Sequence, residues 1–143
     1  MTADATPGET LHVSAVAIGG RAVLIEGPSG AGKSDLALRL IDRGAILVSD
    51  DYTVLRREGD LLVARAPVTI MGRIEVRGIG IVSVGHLAAA PVSLLVRLGH
   101  DVDRMPDDDE QVIAGIAIPV IVLNGLEPSA PIKVELALAR TIN

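Results

Sequence analysis

The stretch Gly27-Pro28-Ser29-Gly30-Ala31-Gly32-Lys33-Ser34 lies between two runs of different character, and its reading decides the fold. Before it, Ala22-Val23-Leu24-Ile25-Glu26 is apolar and β-branched, the composition of a buried strand. After it, Ser34-Asp35-Leu36-Ala37-Leu38-Arg39-Leu40-Ile41-Asp42-Arg43 is rich in helix formers, and Gly44 follows as a C-cap. The eight residues fit G-x-x-x-x-G-K-[ST]; strand, glycine loop and helix are the context in which that pattern is a phosphate-binding P-loop. Glycines let the backbone curl so that successive N–H groups point inward at phosphate oxygens. The helix N-terminus adds partial positive charge. Lys33 then reaches the β- and γ-phosphates, and the Ser34 hydroxyl ligates Mg²⁺. Gly27, Pro28, Ser29, Gly30, Ala31, Gly32, Lys33 and Ser34 are accordingly assigned to nucleotide binding.

Working outward, 143 residues imply one domain, 1–143, with enough chain to bury a sizeable core. An apolar fraction of 49% suits an α/β protein with buried strands. Phe and Trp are absent and Tyr52 is the lone tyrosine, so Val, Ile, Leu and Ala must fill the interior. The lack of Cys excludes disulfides and thiolate metal sites and fits a reducing cytoplasm. No apolar run reaches membrane-spanning length, so no membrane partner is expected. Met1 to Thr10 has neither a basic n-region nor an apolar h-region, so it does not read as a signal peptide. A net charge of −5 and a single aromatic residue argue against a nucleic-acid partner, which would call for a basic stripe and stacking rings.

Taken in order, residues 1–9 read as a loose lead-in and Leu11 to Ile18 as a strand. Gly19-Gly20 then turns the chain into the strand before the P-loop, which makes a hairpin and a mixed rather than purely parallel sheet. Ile46-Leu47-Val48 is a short buried strand ending at Ser49-Asp50-Asp51. Tyr52 to Arg56 and Leu61 to Arg65 flank Gly59-Asp60 as a second hairpin. Ile74 to Val82 carries two glycines and two opposite charges in an apolar run, which does not suit a central strand and points to backbone closely approaching something. Leu94 to Leu98 and Ile118 to Leu123 read as strands and Pro131 to Arg140 as a terminal helix. Segments 101–110 and 124–130 are expected to be the flexible ones.

Asp50 and Asp51 stand at the carboxyl end of a strand one helix after the P-loop, where open α/β sheets bind their ligands. Adjacent residues leaving a strand point to different sides. One carboxylate can then serve a metal shell while the other orients an acceptor hydroxyl and takes its proton. The pair equally suits a solvated turn. Glu75 is a candidate Mg²⁺ ligand and Arg77 a candidate phosphate contact, with a surface ion pair as the plainer alternative. His12 reads by default as a structural histidine, and Arg104, in the acidic loop, as a charge clamp or an exposed side chain.

Together these residues resemble the kinase domain of the HPr kinase/phosphorylase family, from about Leu11 to Leu138. The likeness rests on His12, on GPSGAGKSDLAL with LIDRGAILVSDD, and on IEVRGIGIV at 74–82. It implies a P-loop-containing α/β kinase domain with a mixed sheet, related to phosphoenolpyruvate carboxykinase. The implied reaction uses ATP with Mg²⁺ to phosphorylate a serine of HPr, a phosphocarrier protein, with reversal by inorganic phosphate to give pyrophosphate. Further implications are a cytoplasmic homo-oligomer, typically a hexamer, and these roles: Lys33 the P-loop lysine, Ser34 and Glu75 the Mg²⁺ ligands, Asp51 the proton acceptor, Asp50 its neighbour. His12 becomes an active-site histidine and Arg104 the catalytic arginine. The chain departs from longer members in lacking their N-terminal domain and C-terminal helix. It has Asp35 for a glutamate and Glu127 where arginines are expected; a glutamate there would repel phosphate and weaken the reverse reaction. The rival expectations are the same fold acting on another protein or a small molecule, and a nucleotide-binding regulator without turnover.

Overall fold

In the computed structural model, which describes residues 8–141, the expected first hairpin forms because Gly19 and Gly20 take φ of 60° and 83°, the positive pair that a tight two-residue turn requires. It joins β2 (Val13–Ile18) to β3 (Arg21–Glu26) in antiparallel register. The strand expected from Leu11 is broken at His12, and Leu11 belongs instead to β1 (Glu9–Leu11), which pairs with a different part of the sheet. Most of the lead-in expected at 1–9 lies outside the described residues; within them, Glu9 is already in β1. The P-loop leads into α1 (Lys33–Asp42), and Gly44, at φ 109°, ends the helical course beyond the cap. Then come β4 (Ile46–Ser49), the hairpin β5 (Thr53–Glu58) and β6 (Leu61–Arg65), and the ribbon β7 (Arg73–Val76) and β8 (Gly80–Ser83). The chain finishes with β9 (Ala90–Leu98), β10 (Asp109–Ile113), β11 (Ile116–Leu123) and α2 (Ala130–Arg140).

Among the described residues, nine strands make one mixed, curled sheet in the order β1-β5-β6-β9-β3-β2-β4, with β11 also on β9 and β10 on β11. β9 is the branch point: Ala90 and Pro91 pair antiparallel with β6, and Leu95 to Leu98 pair parallel with β11. Each central strand sends alternate side chains to two cores. Val23 and Ile25 of β3 and Leu94 and Val96 of β9 meet Leu36 and Leu40 of α1 and Val134 and Leu138 of α2. Ala22, Leu24 and Leu95 face Leu55, Leu62 and Ala64 of the second hairpin. Burial on both faces explains why β2 and β3 read as nearly continuous apolar runs rather than as alternating ones.

The ribbon β7–β8 forms its own two-stranded sheet. Ile74, Val76 and Val82 pack it onto the helix-side core. Its glycines approach no other part of the described chain closely. A Cβ on Gly78 or Gly80 would meet nothing within 4 Å; their φ of 89° and 114° instead shape the turn that reverses the ribbon.

Pairing directions bring four carboxyl ends to one rim. β3, β9 and β11 are mutually parallel, and β4 is parallel to β3 because both oppose β2. Glu26, Ser49, Leu98 and Leu123 therefore end on the same side, where ligands of open α/β sheets bind.

Candidate phosphoryl-transfer site

The rim is occupied by the glycine loop. Gly32 takes φ 95° as the residue before α1, which a side chain would strain. Lys33 is 7% exposed, and its Nζ donates to Gly27 O at 2.8 Å across the loop. An ammonium carries three N–H bonds, and the one acceptor found for it among the described residues leaves two for phosphate oxygens. That near-buried, under-satisfied cation fits a bound polyphosphate.

Asp50 is the hub beside it, 6% exposed at the end of β4. Its Oδ1 accepts from Ser34 Oγ at 2.7 Å and from Ser14 Oγ at 3.1 Å. Its Oδ2 accepts from the backbone N–H of Glu75 at 2.9 Å, which pins the ribbon to the P-loop. Asp51 points elsewhere. Its φ is 67°, and Tyr52 N donates to Asp50 O at 2.7 Å, so Asp51 is the apex of a γ-turn of the rare positive-φ kind. At that apex its carboxylate Oδ1 meets His12 Nε2 at 2.6 Å, both side chains about half exposed. The His12 ring lies at the break between β1 and β2, stacked on Tyr52 with centroids 4.8 Å apart. His12 is thus on a bend, not within a strand, and is an aspartate partner.

Asp50, Asp51, Glu75, Arg77, Lys33 and Ser34 line one cleft of about 560 Å³, together with Leu126 and P-loop backbone. Arg104 does not line it; it is exposed on the loop between β9 and β10, which leaves the sheet at the same rim. Four carboxylates (Asp35, Asp50, Asp51, Glu75) against Lys33 and Arg77 leave the lining net acidic. A triphosphate would enter this cleft more readily with a divalent cation. No group of three or more His, Cys, Asp or Glu side chains able to hold a metal occurs among the described residues. Mg²⁺ does not need one, since it takes one or two protein oxygens and completes its shell with phosphate and water. The hard oxygens of Ser34 and Glu75, with Asp50 behind, fit that ion.

Segment 124–130, expected to be flexible, is tied to the P-loop helix. Arg39 donates to the carbonyls of Gly125 and of Glu127, the latter at 2.9 Å. Gly125 packs so close to Leu98 and Ala31 O that a Cβ there would clash. Leu126 reaches the cleft. The Glu127 carboxylate turns instead to Lys133 Nζ at 2.7 Å, and this ammonium holds its pKa below the usual carboxylate range. Its charge is met by Lys133 of α2, and Glu127 does not line the cleft, which lessens the repulsion expected from the sequence.

Residues 4–124 match the family model described as the HPr serine kinase C-terminal domain. The chain belongs to that family. It is 36% identical over 137 residues to an HPr kinase/phosphorylase of Caldicellulosiruptor bescii, covering 86% of this chain and 44% of that one. To an HPr kinase/phosphorylase of Limosilactobacillus reuteri it is 40% identical over 147 residues, 93% of this chain and 44% of the relative. The chain thus spans under half the length of these curated relatives. Among solved structures, the HPr(Ser) kinase/phosphatase of Coxiella burnetii superposes with a TM-score of 0.79 at 32% identity, covering 92% of this chain and 88% of that one. This likeness extends the family's mixed α/β fold to this chain.

Two contributors escaped the sequence reading. Leu126 gave no signal. Ser14 gave a faint one: a hydroxyl inside the apolar run LHVSAVAI.

Proposed function

We propose that this domain is an ATP-dependent protein-serine kinase acting on an HPr-type phosphocarrier protein. The observation that carries the reading is the Asp51 carboxylate, held by His12 at the mouth of the P-loop cleft while its neighbour Asp50 is bonded to Ser34. Two adjacent carboxylates thereby have two separate tasks. The glycine loop and Lys33 hold the β- and γ-phosphates. Ser34 and Glu75 would hold Mg²⁺, which would supply charge neutralisation of the phosphates. Asp51 takes the proton of the acceptor serine hydroxyl as its oxygen bonds to the γ-phosphorus; the bond from the β–γ bridging oxygen to that phosphorus breaks, and ADP leaves. His12 orients the Asp51 carboxylate, and Lys33 with Arg77 stabilises charge on the transferring group. The contribution is positioning and electrostatics, with no covalent enzyme intermediate. Arg104 is assigned a further charge-clamping role, supported by its loop leaving the same rim. The site needs ATP, which the cytoplasm supplies, so the reading puts the protein there; the family resemblance adds a homo-oligomer. No helix among the described residues is long and apolar enough to cross a membrane.

Reverse phosphorolysis of the phosphoserine is a second reading, favoured by the Glu127–Lys133 pair, which spares an incoming phosphate the glutamate's charge. One assay series tests both directions. Asp51→Asn is expected to lower phosphate transfer from labelled ATP to purified HPr by about a hundredfold or more, and phosphate-dependent pyrophosphate release with it, while nucleotide affinity measured by calorimetry stays within about twofold. Equal loss of binding and transfer would remove Asp51 from the proton-accepting role, and a parent protein inert toward HPr would sink the assignment of substrate.

A further inference from the structure

We propose that Ser14 is a positioning residue of this site, an inference that rests on the kinase reading above: its hydroxyl couples the two aspartates and holds Asp51 where an acceptor can use it. Ser14 lies in β2, fully buried between Val13 and Ala15. A hydroxyl in such a place is unfavourable unless its hydrogen-bonding capacity is used. Here both of its functions are taken. Oγ donates to Asp50 Oδ1 at 3.1 Å and accepts from the backbone N–H of Asp51 at 3.0 Å.

The second bond acts on the unusual backbone. Asp51 is a non-glycine residue at φ 67°, a conformation that persists only where its surroundings enforce it. Ser14 grips the N–H of that residue from the neighbouring strand. Its first bond ends on the same oxygen that receives the Ser34 hydroxyl at 2.7 Å. One unbroken path therefore runs from the Asp51 backbone through Ser14 and Asp50 to the P-loop serine. It sets the separation between the proton-accepting carboxylate and the phosphate end of the cleft. Packing alone does not call for a serine here, since the same strand buries Ala15 and Ala17 completely or nearly so.

The test compares the parent chain with Ser14→Ala and Ser14→Thr, by steady-state transfer to HPr and by NMR hydrogen exchange of the Asp51 amide. Ser14→Ala should lower kcat about ten- to a hundredfold with KM for ATP within about twofold, because the base is misplaced and the phosphate cradle is not. Its Asp51 amide should exchange at least about tenfold faster, and Ser14→Thr, which keeps the hydroxyl, should restore both readouts to within about fivefold. Parental kcat and parental Asp51 protection in a folded Ser14→Ala would overturn the proposal, as would a loss confined to KM. Should the alanine variant not fold, Ser14→Cys, near-isosteric with a weak donor, takes its place and must show the same loss; should the threonine variant not fold, the alanine or cysteine comparison decides alone. A parent chain that transfers no phosphate would sink the kinase reading instead; the exchange comparison would still decide for or against Ser14.

Discussion

The P-loop and the β7–β8 ribbon line one cleft, yet they are held in place by different means. The P-loop grows out of β3, a strand with both faces buried, and runs into α1, whose Leu36 and Leu40 are fully buried. Its chemistry is mostly backbone, so it depends on φ at Gly30 and Gly32 rather than on distant partners. The ribbon stands outside the main sheet and brings side chains, Glu75 and Arg77, to the same space. It is held by Ile74 in the core and by the Glu75 N–H on Asp50, while Val84 N on Gly72 O at 2.9 Å extends the ribbon's own ladder. A cradle made of backbone is set by local sequence; an arm that delivers side chains needs tertiary contacts to aim it.

The largest expected effect breaks the cradle side. Lys33→Ala removes the near-buried ammonium and should weaken nucleotide affinity at least about a hundredfold by calorimetry, with the amides of the ribbon exchanging as in the parent. Loss of ribbon protection in that variant would mean that the two sides are not separately held.

The next perturbs the arm alone. A Cβ on Gly72 would lie 2.7 Å from His86 Nδ1, and its φ is 74°. Gly72→Ala should therefore cost about 1–3 kcal/mol and speed exchange of the Val84 amide, while ATP affinity in the absence of Mg²⁺ is unchanged. Adding His86→Ala should relieve the steric part and leave the backbone strain; full recovery would show that φ is not limiting there.

The smallest concerns the loop beside the P-loop. Glu127 has a folded pKa lowered by Lys133, so the pair's stabilisation is present above the unfolded carboxylate pKa and is lost as pH falls through the folded one. Lys133→Ala should raise the Glu127 pKa toward its ordinary value in an NMR titration. The difference in melting temperature from the parent, small for so exposed a pair, should vanish in acid. An unmoved Glu127 titration would show that Lys133 does not hold that charge.

Much of the fold was legible in residue order: the first hairpin from Gly19-Gly20, the P-loop and its helix, and the mixed sheet. The misplacements have physical causes. Val13 to Ile18 continues the apolar pattern across His12, so the break there, where the chain changes strand partners, left no mark in composition. The 124–130 loop looked free because its composition is that of a turn, whereas Arg39 on α1 anchors it through backbone carbonyls. The turn made by Gly78 and Gly80 was not legible because positive φ in a turn and close approach to a neighbour both select glycine.

Residue order by itself determined the phosphate cradle, because a glycine loop between a buried strand and a helix carries its geometry within a dozen neighbours. It also placed two aspartates at a strand end. Which of them faces the P-loop and which faces solvent was decided only by tertiary structure. The deciding groups are Ser14, 36 residues before Asp50, the Glu75 amide, 25 residues after it, and His12, 39 residues before Asp51. Hydrogen bonds between groups this far apart in sequence are set by where strands and ribbon come to rest, and no local pattern encodes that.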